Sequence, residues 1–176
     1  THYNLGMIYF EKNNFKDEEI TMKSLLEGKS ILAVDDEPDI LGVLEEEIKD
    51  ACQSCSFDKA VTYEQAMEKL KNNTYDIVIL DIMGVRGFDL LEFGVKKGLK
   101  VVMLTAQALN ADALQKSYQM KAHGYLPKDK LGEIVPFLED VLQYDFSSGW
   151  RRLLSKLENF FDKNIEADWR NRIGYF

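Results

Sequence analysis

The chain is short of the residues that punctuate, cross-link or attract nucleic acid. Only 3 of its 176 residues are proline and 2 are histidine, and its 2 cysteines are Cys52 and Cys55. Their C-x-x-C spacing allows a redox pair or half of a zinc site. A zinc site needs more ligands than His2 and His123 add, so two free thiols are the simpler reading. Basic residues are also scarce: 22 lysines and arginines face 30 acids, for a formal charge of -8. That surface argues against a phosphate-backbone partner, and no DNA-reading role is expected. No apolar run is long enough to span a bilayer, and the N-terminus lacks a basic segment followed by an apolar core and cleavage site. A soluble, cytoplasmic protein without a membrane or nucleic-acid partner is the expectation.

What the chain does contain is an ordinary globular apolar fraction of 45%, enough for one compact domain with extensions. From Lys29 onward, short apolar runs alternate with amphipathic segments, the mark of βα units. Ile31 to Val34 reads as a first buried strand, ended by Asp35-Asp36-Glu37-Pro38. Pro38 suits the first helical position, and Ile40, Leu41, Leu44 and Ile48 form the helical stripe behind it. A short strand is expected from Phe57 to Val61, then a helix opened by the T-x-x-Q capping box at Thr62 and running through Leu70. Ile77 to Leu80 is β-branched, lacks alternation and is too short for a buried helix, so it reads as a strand covered on both faces and ending at Asp81. A loop from Gly84 to Gly87, a helix carrying Phe88, Leu91 and Val95, and a strand from Lys100 to Thr105 follow. Asn110 caps a fourth helix to about His123, Tyr125-Leu126 makes a fifth strand, and a fifth helix lies between Leu131 and Tyr144, with Pro136 either breaking it or marking its first turn. Five strands alternating with five helices imply a parallel α/β sheet with helices on both faces.

In such a sheet the carboxyl ends of the strands are where ligands bind. Asp35, Asp36 and Asp81 all fall there. Three carboxylates in one cleft repel, and are tolerable when a cation shares their charge or some stay protonated. An all-oxygen donor set of this size suits Mg²⁺ with retained waters. Thr105 and Lys128 end or follow the fourth and fifth strands, adding a hydroxyl and an ammonium suited to phosphoryl oxygens. Taken singly these residues have plainer readings: helix capping at Pro38 for Asp35 and Asp36, a strand-end hydroxyl for Thr105, a solvated lysine for Lys128 and a core aromatic for Tyr125.

The ordered set Asp35-Asp36-Glu37-Pro38, Leu80-Asp81-Ile82-Met83, Thr105-Ala106, Gly124-Tyr125-Leu126 and Lys128 resembles the receiver domain of two-component response regulators, over about Lys29 to Tyr144. The resemblance implies a flavodoxin-like fold in which Asp81 accepts a phosphoryl group from a histidine kinase or histidine phosphotransfer protein. It also implies Mg²⁺ held by Asp35, Asp36, Asp81 and the backbone carbonyl of Met83. Thr105 and Lys128 would contact the phosphoryl oxygens, and Thr105 with Tyr125 would form the switch. The chain departs from the usual pattern in two places. The loop after Met83 is shorter and lacks a proline, with Arg86 adding a charge beside it, and Lys128 is followed by Asp129 where the family has proline.

Three segments are therefore expected: an N-terminal helical arm over 1–28, the receiver-like domain over 29–144, and an amphipathic helical extension over 145–176. The arm's Leu5-Gly6-x-x-Tyr9 followed by Phe15 resembles the first half of a tetratricopeptide repeat, though a lone repeat has no neighbour to bury its face. In the extension, Trp150, Leu153, Leu154, Leu157, Phe160 and Phe161 share one helical face, which calls for docking on the chain's own domain, on a second copy as a homodimer, or on a partner. The extension is too short for a winged-helix effector, so the expected output is contact with a downstream protein, with slow self-dephosphorylation the only turnover. Two alternatives stay open: a degenerate receiver that binds partners regardless of phosphorylation, and a small phosphatase with Asp81 as nucleophile. Against the latter, the position two residues on, which holds a second acid in such hydrolases, is Met83.

Overall fold

The computed structural model describes residues 23–106 and 109–174. The amphipathic segment with tetratricopeptide-like spacing, residues 2–15, lies outside the described residues. Five strands, β1 (Ser30–Val34), β2 (Ser56–Ala60), β3 (Ile77–Asp81), β4 (Lys100–Thr105) and β5 (Gly124–Pro127), form one sheet in the order β2-β1-β3-β4-β5. Every pairing is parallel. Because β3 is central, each of its five residues is buried, as expected for an apolar run without alternation.

The helices are α1 (Pro38–Ala51), α2 (Tyr63–Asn72), α3 (Gly87–Lys96), α4 (Ala111–Gln119), α5 (Ile134–Gln143), α6 (Phe146–Asn164) and α7 (Trp169–Ile173). Local chemistry sets their starts. Thr62 accepts from the Gln65 backbone N–H, and the Gln65 side chain reaches back to the Val61 N–H, one residue outside the usual box. Asn110 caps α4 by accepting from the Ala113 N–H. α4 ends at Gln119, short of His123, because Lys121 takes a left-handed conformation with φ 68°. Pro136 lies in the first turn of α5, where it breaks nothing, and a 3-10 segment over Lys128–Glu133 precedes that helix.

Cys52 and Cys55 are buried free thiols in the turn between α1 and β2, where the Cys55 thiol donates to the Cys52 carbonyl. The C-terminal extension packs on the chain's own sheet and helices. Trp150, Leu153, Leu154, Leu157 and Phe161 of α6 are buried, and the Trp150 indole N–H donates to the Ala122 carbonyl just before β5. A second short helix, α7, which periodicity alone did not separate from α6, follows the break at Ile165 and packs against α4. The β5 edge is thereby covered, which removes an unpaired strand from solvent. Among the described residues no helix is long and apolar enough to cross a membrane.

Candidate functional site

The parallel register brings the ends of β1, β3 and β4 level. Val34 pairs with Leu80, and Asp81 with Leu104, so Asp35, Asp81 and Thr105 emerge at one edge. There Asp35, Asp36 and Asp81 each offer an oxygen within 4.8 Å of the others, the one group of potential metal ligands among the described residues. Asp35 is wholly buried, Asp81 is 5% exposed, and Asp36 faces solvent. A cleft of about 160 Å³ lies between them, bordered by Asp36, Asp81, Met83, Gly84, Ala106 and Lys128.

Two glycines shape this cleft. A Cβ on Gly84, whose φ is +81°, would come within 2.4 Å of the Asp36 carboxylate. A Cβ on Gly87 would lie 2.1 Å from the Asp81 carbonyl, so α3 can start against the end of β3 only from a glycine. In the sequence both carry only the signal of loop residues. Arg86 holds the left-handed N-cap of α3 and spends its charge on Asp89, at 2.7 Å, and on the Tyr63 ring beneath its guanidinium.

Lys128 lies in the cleft, its side chain 8% exposed, with its Nζ 2.7 Å from Asp35 Oδ2, 2.9 Å from Glu37 Oε1 and 3.5 Å from Asp81 Oδ1. The lysine was foreseen as a phosphoryl contact; its grip on Asp35 and Glu37 was not. Asp35 is doubly engaged, because Oδ1 also accepts from the Glu37 backbone N–H; this bond closes the turn ahead of α1, whose N-cap Glu37 has no side-chain cap, so Asp35 and Asp36 do not take the helix-capping role that their position before Pro38 suggested. One ammonium thus serves two buried carboxylates. Burial pushes the Asp81 carboxyl up to about 6, the Asp35 charge adds to this, and Lys128 opposes it. Asp35 is raised by burial as well, against the pull of Lys128 and the Glu37 N–H. Burial works against the Lys128 ammonium, yet its bonds to Asp35 and Glu37 and the Asp81 charge hold it above the usual lysine range. The three clustered carboxylates of Asp35, Asp36 and Asp81 face the single ammonium of Lys128, two positive charges short, which suits a hard divalent cation with oxygen ligands.

Thr105 and Tyr125 are both buried. The Thr105 Oγ1 has no hydrogen bond of good geometry among the described residues. The Tyr125 phenol, pushed up by burial, has the Thr105 side chain and the Asn110 backbone as neighbours. A roomier crevice of about 340 Å³ between α5 and α6, lined by Leu126, Phe137, Leu153 and Leu157 with Glu133, Asp140 and Lys156 among others, pairs its ammonium with Asp140 at 2.6 Å and includes none of the three clustered aspartates.

Comparisons agree with this geometry. The model of the response regulator receiver domain matches residues 31–138. The chain belongs to this family. A curated relative, the two-component response regulator ARR18 of Arabidopsis thaliana, is 36% identical over 107 residues, which cover 57% of this chain and 16% of the relative. Among solved structures, a putative response regulator from Chloroflexus aurantiacus superposes with a TM-score of 0.58 at 25% identity, over 67% of this receiver chain and all of its own. The response regulator TrrA of Thermotoga maritima, solved in complex with Mg²⁺ and beryllofluoride, is 36% identical with a TM-score of 0.51, over 62% of this chain and 98% of its own. The receiver domain is a signalling domain with the flavodoxin-like fold.

Proposed function

We propose that this receiver accepts a phosphoryl group on Asp81 from a histidine kinase or a histidine phosphotransfer protein. The observation that carries the reading is the position of Asp81, at the end of β3 in reach of both Asp35 and Asp36 and 3.5 Å from the Lys128 ammonium. An Asp81 carboxylate oxygen attacks the phosphorus of the donor, an O–P bond forms as the donor's N–P bond breaks, and the imidazole leaves with a proton from solvent. Lys128 meets the charge of the incoming oxygens, and the Thr105 hydroxyl, without a bond of good geometry among the described residues, is a donor available to them. Asp35, Asp36, Asp81 and the Met83 carbonyl would hold Mg²⁺, which lowers the repulsion between a carboxylate and an anionic donor. Loss of the phosphoryl group to water would be slow, and a cytoplasmic location goes with a kinase partner. Output through a downstream protein follows from a two-state surface involving Thr105 and Tyr125.

Incubation with acetyl phosphate and Mg²⁺ should add one phosphoryl group by intact mass, and Asp81→Asn should take none. Failure of the unmodified chain to take a phosphoryl group from this donor or from a phosphorylated kinase domain overturns the reading. A second reading, a receiver that binds partners regardless of phosphorylation, draws on the closer pairing of Lys128 with Asp35 than with Asp81. It requires partner affinity to be the same for the unmodified chain and Asp81→Ala.

A further inference from the structure

Cys52 and Cys55 take no part in the acid edge, and local geometry brings them together. They flank a tight turn with Gln53 and Ser54 at its centre, between the end of α1 and the start of β2. A turn of this kind keeps the Cα atoms of its first and fourth residues within about 7 Å, close to the separation that a disulfide spans. Both side chains turn inward and are buried. The Cys55 thiol donates to the Cys52 carbonyl at 3.0 Å, so its hydrogen is committed, while Cys52 Sγ lies 3.4 Å from the Ser54 hydroxyl. That hydroxyl accepts from the Gly28 backbone N–H at 3.2 Å, which leaves its own proton for the Cys52 sulfur.

The sulfurs are buried without being deep. Ala51, Gln53, Ser54 and Ser56 are all exposed, so the pair lies one layer beneath the surface, within reach of a small solute. The turn is fixed from both flanks: the Ser56 N–H donates to the Lys29 carbonyl at 2.8 Å, and the Lys49 ammonium donates to the Cys55 carbonyl. The two thiols also differ in acidity. Burial works against the Cys52 thiolate, yet the Ser54 hydroxyl and Cys55 hold this thiol below its ordinary range, whereas burial and the neighbouring Cys52 push Cys55 up. Cys52 is thus the readier thiolate, the form that attacks, and Cys55 keeps its proton.

We propose that Cys52 and Cys55 are an oxidisable dithiol that hydrogen peroxide converts to a disulfide within the folded chain, with Cys52 as the attacking sulfur and Cys55 as the resolving one. The Cys52 thiolate attacks one peroxide oxygen, the O–O bond breaks, and the departing hydroxide takes up the proton that the thiol gave up. This step leaves a sulfenic acid and one water. The Cys55 sulfur then displaces the hydroxyl: an S–S bond forms, the S–O bond breaks, and hydroxide leaves as water with the Cys55 proton. The dithiol has lost two electrons and two protons, and the peroxide has become two waters. Exchange with an external dithiol restores both thiols. The bond closes a loop holding only Gln53 and Ser54, so it fixes this turn rather than the domain as a whole.

The test treats the reduced, folded full chain with hydrogen peroxide, quenches it, then unfolds it and alkylates the remaining thiols. Cleavage after Lys49 and Lys59 puts both cysteines in one peptide, Asp50 to Lys59, which leaves out every methionine, so its mass reads the state of the pair. The peptide should carry no alkyl group and weigh about two hydrogens less than the dithiol form, and dithiothreitol before alkylation should restore both sites of labelling. Cys55→Ser should stop at the sulfenic acid, trapped on Cys52 by dimedone. Cys52→Ser should be trapped about tenfold more slowly. Alkylation of both thiols after peroxide, a disulfide that forms only in the unfolded chain, or one that joins two chains overturns the proposal without need of a variant. Equal trapping in the two variants overturns it as well.

Discussion

The acid edge of the sheet and the aromatic arm beside β5 are both buried, yet they are built on opposite terms. In the arm the buried polar groups have partners: the Trp150 N–H reaches the Ala122 carbonyl, and the Trp169 N–H reaches Asp162. At the acid edge two buried carboxylates share one ammonium, the Asp81 carboxyl is driven up to about 6, and the Thr105 hydroxyl lacks a bond of good geometry among the described residues. The first region is arranged for stability and the second against it. Unmet buried charge is tolerated where a ligand will meet it, and that contrast is the strongest physical sign of function in this fold.

The comparison breaks first if the arm is ornamental. Trp150→Ala removes a large buried side chain and strands the Ala122 carbonyl, so it should lower the stability of the full chain by about 4 kcal/mol, read as a fall in the urea midpoint. A change near zero would mean the arm contributes nothing to the receiver. Next comes Lys128→Met, which leaves Asp35 and Asp81 without their shared cation and should cost about 3 kcal/mol at pH 7.5, less at lower pH as the carboxylates take up protons.

A smaller effect of opposite sign sharpens the contrast. The Asp81 carboxyl has an ordinary value of 3.8 and is raised to about 6 in the fold, so the folded protein holds this proton more tightly than the unfolded chain. Stability therefore falls as pH rises from about 4 to about 6, and the whole penalty is present above that range. Without divalent cations, Asp81→Asn should be more stable than the unmodified chain by about 2 kcal/mol at pH 7.5, with the advantage gone near pH 4. An equal or less stable variant at pH 7.5 would place the strain elsewhere.

Much of this was legible in the residues, for reasons specific to each. β3 declared itself because a strand buried on both faces admits no alternation, and its order relative to Asp35, Thr105 and Lys128 pointed to the carboxyl edge. Pro38, Thr62 and Asn110 announced their helices because each acts through a local bond or a fixed dihedral. What stayed hidden depends on contacts far apart in sequence. Glu37 was a helix-start acid until Lys128 came across the sheet to meet it. Gly84 and Gly87 were turn residues until the Asp36 side chain and the Asp81 carbonyl occupied the space a Cβ would need. Glu166 carries no local signal at all, because its bond from the Ala111 N–H exists only where the C-terminal extension returns to the start of α4. The apolar stripe of α6 indicated a docking surface, and only the tertiary structure identified the chain's own sheet as what it docks on.

The central claim is that the strained acid edge is a phosphoryl site centred on Asp81. Fluorine NMR of the full chain with Mg²⁺ and beryllofluoride tests it most directly. The unmodified chain should give bound resonances in slow exchange, and folded Asp81→Asn, at the same concentrations, should give none. Bound resonances that persist in Asp81→Asn, or a folded unmodified chain that shows none, would contradict the account.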